Sequence, residues 1–571
     1  FNPKDFGFGS NVTGITNSSS TGYQYYAQRY SMTDDFPFAE INVFQLGLYA
    51  QDKWTVSDKL NLTLGLRIDV PFFMTDLQSN DKVAAETYRD GIKIDVSKYP
   101  NAKPQFSPRF GFNYKPFDDE NGSLQIRGGT GLFTGTPPYV WISNQAGNNG
   151  VLFGDLNVRA VKDKNDNIIS DGRPSLGFTG NMDTYKPAEG SATRSDIAIT
   201  DPDFKYPSLW KSNIAADYKF GDGWVATVEL LYSKDINAIY HDNIGLYRTE
   251  QFVNDGGAGN ARPYYNGYYS DREGNQKAAN HVVMLRNTSK GHSLYTTFQL
   301  QKNFVDGILK GLYLNGSYSF GQSRGVTDGT SSVATSAWKY RAALDGNAEE
   351  VGYTAGSFDG RLLLSASYTA NWSKYAATSF GLIYQRYRPF RYSYCYNGDA
   401  NGDSQFSNDL MYIPANFDEV KDHLLPGDFD SQEDAWKAMN AFIEQDPYLS
   451  KHRGEYAERN GAVAPFANQL DLSVSHDIKI YQKNGRSHTL RFSFNIANFL
   501  NLLNRNWGVV QTTVLGNQQY QFLTIPKGQG PSAANNYTLK YTMAKDLDET
   551  FKDNLNDVSR WQMQFGIKYI F

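Results

Sequence analysis

The residue types best suited to chemistry gather in one run, Asp399-Ala400-Asn401-Gly402-Asp403-Ser404-Gln405-Phe406-Ser407-Asn408-Asp409. Oxygen-bearing side chains at its first, third and fifth positions, with an acid near its end, follow the alternation by which a short loop wraps a hard cation such as calcium. The expected ligands are Asp399, Asn401, Asp403 and Asp409, with a backbone oxygen at Gln405. Phe406 stands eighth, where loops of this type have an apolar residue. Ser404 departs from the rule, because the sixth position carries Gly, and Asp409 closes the run one residue early. The competing reading is an Asx-rich loop whose side chains bond their own backbone and hold no ion.

Other chemistry is sparse. His241, His281, His292, His423, His452, His476 and His488 are the seven histidines, and none lies three to five residues from another, so no zinc pair is expected. Cys395 is the single cysteine, which leaves no internal disulfide and no cysteine-rich metal site. No G-x-S-x-G elbow or P-loop occurs. No catalytic constellation is expected, and the chain is not read as an enzyme.

The scaffold that positions that run shows in the composition. The 571 residues include 39 Tyr, 36 Phe and 9 Trp, so 15% are aromatic, yet only 40% are hydrophobic. A packed soluble core normally takes Leu, Ile and Val first. Aromatic girdles around a polar lumen give this mixture instead. The net charge of -5 lacks the basic excess of a nucleic-acid binder. No run of 18 apolar residues offers a transmembrane helix. The opening FNPKDF has no apolar h-region, so it reads as a mature or truncated start, or as a fragment.

Alternation with period two recurs along the chain. In 60–70, Leu60, Leu62, Leu64, Leu66, Ile68 and Val70 share one face, while Asn61, Thr63, Gly65, Arg67 and Asp69 share the other. Eleven alternating residues exceed the usual soluble strand and match the roughly 9–11 that cross a bilayer at a tilt. Thirteen such segments are read, ending in WQMQFGIKYIF, where Trp561, Met563, Phe565, Ile567, Tyr569 and Phe571 form one face. Short connections (55–58, 117–121, 221–223, 305–310, 371–377, 481–486) alternate with long ones (71–105, 135–209, 236–292, 322–360, 388–467, 499–558). Short periplasmic turns and long extracellular loops are the habit of outer-membrane barrels, and lipid requires spanning strands to pair closed. The expectation is an all-β, antiparallel transmembrane β-barrel, with residues 1–40 an extracellular loop segment and 41–571 the barrel portion. On the lumen face, Arg67, Asp69 and Arg127 either bind an anionic solute or pair with neighbouring charges.

Several segments carry a resemblance. GLYAQDKWTVSDKLNLTLGLRID resembles the barrel of TonB-dependent outer-membrane receptors, where Y-x-Q-D-x-W, a short turn and L-x-L-x-x-G-L-R-x-D recur. FSPRFGFNY looks like their S-P-R-x-G strand. GGTGLFTGTPPYVWISNQAGNNG, YNGDANGDSQFSNDLMYIP, KHRGEYAERNGAVAPFANQLDLSVSHD and FNIANFLNLLNRNWG resemble the Oar-like branch of that family, and the resemblance covers most of 41–571. It implies a barrel of about 22 strands with a plugged lumen. The thirteen strands would then be its C-terminal part, with about nine strands, the plug and the TonB box outside this chain. The implied function is energy-coupled solute uptake across the outer membrane of a Gram-negative bacterium. The implied partners are lipid, the TonB complex acting through the plug, and the outer-membrane assembly machinery. The terminal Phe571, preceded by alternating aromatics, resembles the insertion signal that machinery reads. A docking barrel in an envelope complex and a passive channel are the alternatives.

One helix is expected inside the long loop 388–467. Ser431 to Asp434 resembles a capping box, Trp436, Met439, Phe442 and Ile443 share a face, and Pro447 ends it.

Overall fold

The computed structural model describes residues 25–32, 39–120, 122–159, 161–162, 168–169, 195–253, 262–265, 279–481, 487–515, 519–526, 530–531, 537–542 and 549–571. Thirteen strands follow one another in a single antiparallel sheet: β1 Val43–Ser57, β2 Leu60–Phe73, β3 Gln105–Asp119, β4 Gly122–Thr134, β5 Ser208–Phe220, β6 Trp224–Asp235, β7 His292–Asn303, β8 Leu312–Gly325, β9 Arg361–Ser373, β10 Ala376–Tyr387, β11 Ala467–Tyr481, β12 Ser487–Ala497 and β13 Gln562–Ile570. The two-residue strand Gly352–Tyr353 joins the end of β8 off this path. Strand number and order agree with the alternation in the sequence. Trp561 and Phe571 flank β13 rather than lying within it.

Register explains why the period-two reading works. One row across the sheet runs Tyr114, Ile126, Ala216, Val228, Phe298, Tyr318, Leu362. The next row, one residue along, runs Asn113, Arg127, Ala215, Glu229, Thr297, Ser319, Arg361. Successive side chains point to opposite faces, so a one-residue step exchanges an apolar wall for a polar one. The hairpin between β5 and β6 turns on Gly221 and Gly223, both at positive φ. A Cβ on Gly223 would stand 2.5 Å from the Asn303 carbonyl oxygen, so the close approach of β7 also requires glycine there.

β1 and β13 lie at the two ends of the path, and among the described residues they do not pair with each other. In an antiparallel path of thirteen, the first and last strands run in the same direction. Antiparallel closure therefore needs an odd number of further strands between them. Tyr25–Ser31 pairs with Phe153–Arg159 apart from the large sheet. Most of the remaining residues of 1–40 lie outside the described ones.

The long connections are folded rather than open. Ala238–Asn243 pairs antiparallel with Ala279–Thr288, which pairs parallel with Ser195–Thr200. Ile197, Ile199, Val282 and Met284 from these strands bury against Val83, Tyr88 and Val96 of the 74–104 connection. The buried Asp242 carboxylate accepts two 2.7 Å bonds from Arg89 Nη2 and a 2.9 Å bond from Arg286 Nη1. The helix spans Gln432–Gln445, with Ser431 as N-cap accepting from the Asp434 N–H. Its Met439, Phe442 and Ile443 enter an aromatic core with Tyr392, Tyr394, Tyr520, Phe522 and Tyr541. Asp446, fully buried beyond its end, accepts from Tyr394 and Thr550 hydroxyls at 2.5 and 2.7 Å. Four shorter helices, Asp81–Ala85, Tyr139–Gly147, Ala334–Lys339 and Phe499–Leu503, were not expected. None is long enough to establish a 3.6-residue period in the sequence.

Candidate functional site

The run 399–409 lies within the 388–466 connection, where three loops meet. The Tyr265 N–H donates to the Asn401 carbonyl at 2.7 Å, and the Ala343 N–H donates to the Asn408 carbonyl at 3.0 Å. Asp409 and Leu410 pair with Ala343 and Cys395. Gly402 has φ +81°, and a Cβ there would stand 2.2 Å from the Tyr265 carbonyl oxygen, so the docking depends on glycine.

Inside the run, Asp399 organises the turn. Its Oδ1 accepts from the N–H groups of Asn401 (3.2 Å) and Gly402 (2.6 Å), and its Oδ2 accepts from the Ser404 N–H at 2.8 Å. Ser404 has φ 64°, so the sixth position takes the left-handed conformation for which such loops use Gly, at the steric cost of a Cβ. Asn401 Oδ1 accepts from the Asp403 N–H, and Asp403 Oδ1 from the Gln405 N–H. Asp409 Oδ2 accepts from the Ala400 N–H at 2.8 Å, which closes the loop. Asp403 and Asp409 are almost completely buried. The fully buried Arg262 stands 3.5 Å from Asp409.

Burial sets the electrostatics. It raises Asp399, pushes Asp403 up to about 7 with help from the Asp399 charge, and raises Asp409 well above the usual carboxylate range, with Asp403 adding to the effect. The three carboxylates are near enough to act on one another, and Asp403 and Asp409 are buried. Among the described residues, no three His, Cys, Asp or Glu side chains converge as a ready-made metal cage. A cation here would draw on the Asn401 amide and backbone oxygens as well as the acids. Phe406 does not act as the apolar anchor expected at the eighth position, because it is 65% exposed.

Arg262 is the residue that sequence reading missed. It comes from a segment 147 residues away, and no local signal marks it. The buried Tyr392, Tyr394 and Tyr396 support the run from the strand Arg391–Tyr394 and its end, inside what the sequence reading takes as a long loop; their alternation is the signal that could have found it.

On the lumen face the charges pair. Arg67 holds Asp69 through bonds of 2.8 and 2.7 Å, and Arg127 holds Asp217 at 2.9 Å. Arg491 holds Asp477 at 2.6 and 2.8 Å. The pairing reading of Arg67, Asp69 and Arg127 is the one these distances favour. His241 meets the Trp141 ring edge-on, and His452 stacks on Tyr448. Burial, then the Arg341 charge, lowers His241 to about 4.

At the far end of the chain, Trp561, Met563, Phe565, Ile567, Tyr569 and Phe571 are all exposed, and Phe565 lies against Phe494 of β12 at 4.8 Å between ring centroids.

A family model described as outer membrane beta barrel domain matches residues 2–522, and the chain belongs to that family. Its place is the outer membrane of a Gram-negative bacterium, with outer-membrane lipid as its surroundings. Among solved structures, it is similar to the ferric preacinetobactin receptor of Acinetobacter baumannii, at 10% identity and a TM-score of 0.35, over 88% of this chain and 42% of that one. It is similar to a mutant of the ferric enterobactin receptor of Pseudomonas aeruginosa, at 10% identity and 0.38, over 96% and 50%. A copper transporter is similar at 9% identity and 0.37, over 84% and 48%. The chain thus spans half or less of the length of each. No curated protein sequence matches it.

Proposed function

We propose that the chain is the barrel portion of a TonB-dependent receptor of the Oar-like branch, which takes up a solute across the outer membrane with energy supplied through TonB. The observation that carries this reading is the thirteen-stranded antiparallel sheet whose two edge strands run in the same direction and, among the described residues, do not pair. An odd number of further strands closes such a sheet, and the about nine strands of a 22-stranded receptor satisfy that parity. The motifs Tyr49-x-Gln51-Asp52-x-Trp54 and Leu60-x-Leu62 to Arg67-x-Asp69 support it. In this reading a plug fills the lumen, TonB pulls on the plug, and no residue of this chain does catalysis.

Planar-bilayer recording and a TonB binding titration test the proposal on the complete protein. A plugged receptor is expected to be electrically silent and to bind the periplasmic domain of TonB. Steady conductance without TonB binding would make the protein a passive channel. Silence without TonB binding would make it a docking barrel.

We further propose that Asp399, Asn401, Asp403, Asp409 and the Gln405 backbone oxygen hold calcium, which clamps the three loops that meet at this run. The support is the bond from the Ser404 N–H to Asp399 Oδ2 together with the positive φ at Ser404. Calcium is expected to slow proteolysis of the loops of the complete protein relative to EGTA, and Asp403→Asn should remove the difference. Unchanged proteolysis in millimolar calcium, with no heat of binding by calorimetry, would leave the run a plain Asx-rich loop.

A further inference from the structure

The lipid-facing wall carries a polar chain beside the turn between β9 and β10. Trp372 near the end of β9, Thr378 on β10 and His476 on β11 stand side by side beside the short connection 374–375. Thr378 and His476 are cross-strand partners in register. They share the face of Phe380, Leu382 and Val474, two residues apart along each strand, so they belong to the apolar wall and not to the lumen. The Trp372 indole N–H donates to Thr378 Oγ1 at 2.7 Å, and Thr378 Oγ1 lies 2.9 Å from His476 Nδ1.

An indole nitrogen only donates, so Thr378 Oγ1 accepts from Trp372; its own hydrogen can go to His476 Nδ1, or a doubly protonated His476 can donate to it from Nδ1, and in both cases Nε2 carries a hydrogen. In both arrangements His476 offers an Nε2 hydrogen as a donor on the lipid-facing wall. Lys374, in the connection between the same two strands, lies 4.9 Å over the Tyr375 ring and adds a cation. Trp372 is 67% exposed and Tyr375 50%, as suits aromatic side chains at a headgroup boundary. Short turns face the periplasm, so this boundary is that of the inner leaflet.

We propose that Lys374 and His476 hold the phosphate of an inner-leaflet phospholipid, with Trp372 and Tyr375 flanking its glycerol region. The chemistry is a cation and an N–H donor offered to an anionic oxygen group. Thr378 is a positioning residue, because its hydroxyl holds the Nδ1 side of the His476 ring. The proposal rests on the placement of the sheet in the outer membrane and not on what the protein transports.

Native mass spectrometry of the complete protein, with phosphatidylglycerol or a diacylglycerol glycolipid of the same acyl chains, tests it. The wild type is expected to retain the phospholipid over the glycolipid. The pair Lys374→Gln and His476→Phe should lower phospholipid retention about fivefold or more, the effect of one interfacial cation. Equal retention of the two lipids by the wild type would overturn the proposal, even if the variant fails to fold. So would unchanged retention by a variant whose sheet remains heat-resistant on gels, or displacement of the lipid by inorganic phosphate.

Discussion

Val228→Arg is expected to destabilise the folded protein by about 2–4 kcal/mol, whereas Thr227→Arg, one residue earlier, costs much less. Val228 stands within β6 on the lipid-facing row, between Ala216 and Phe298. An arginine there meets hydrocarbon and apolar side chains, with no carboxylate across either strand. Thr227 points to the lumen, paired with Asp217 and Gln299, and its hydroxyl donates to Asp217 at 2.7 Å. A guanidinium at 227 would find an acid and water. Leu64 is a poorer place for the same test, because Asp52 stands directly opposite on the same face and would receive the new charge. Equilibrium unfolding in urea with lipid vesicles measures both variants. Equal costs at 227 and 228 would mean that the two faces are not lipid and lumen.

Phe571→Ala, made in the complete gene, is expected to remove the protein from the outer membrane. The side chain is almost fully exposed in the structure and stacks on Tyr569, at 5.9 Å between centroids. As a packing residue it contributes at most about 1.5–3 kcal/mol, the value for complete burial. A thirteen-stranded sheet, once assembled, survives such a loss. As part of the address read by the assembly machinery, the same side chain decides whether the strand is recognised at all. Tyr569, Ile567, Phe565, Met563 and Trp561 continue the outward set. Fractionation of cells decides between the two roles: periplasmic aggregate or degradation marks an address. Normal outer-membrane levels of the variant would leave Phe571 with lipid contact alone.

The barrel wall was legible in the sequence because its information is local. Leu60 to Val70 alternates within eleven residues, and every later strand repeats the contrast between a lipid face and a wet face. Strand number, order and turns follow from that repetition, since each strand pairs with its neighbour in the sheet's sequence order. The helix Gln432–Gln445 was legible for the same reason, through Ser431, the apolar stripe and Pro447. The acidic run was visible as spacing, but whether its carboxylates meet was not. Arg262 reaches Asp409 across 147 residues, and Arg89 reaches Asp242 across 153. No periodicity links positions so far apart, so the docking of the loops on one another was decided by tertiary packing. The left-handed Ser404 is likewise held by the Asp399 side chain and the loops around it, against the preference of its own residue type. The sequence by itself determined the faces and pairing of the wall, because hydrocarbon and water act on each strand separately. Only the tertiary structure decided the block of long loops and the candidate site within it, because both consist of contacts between distant loops.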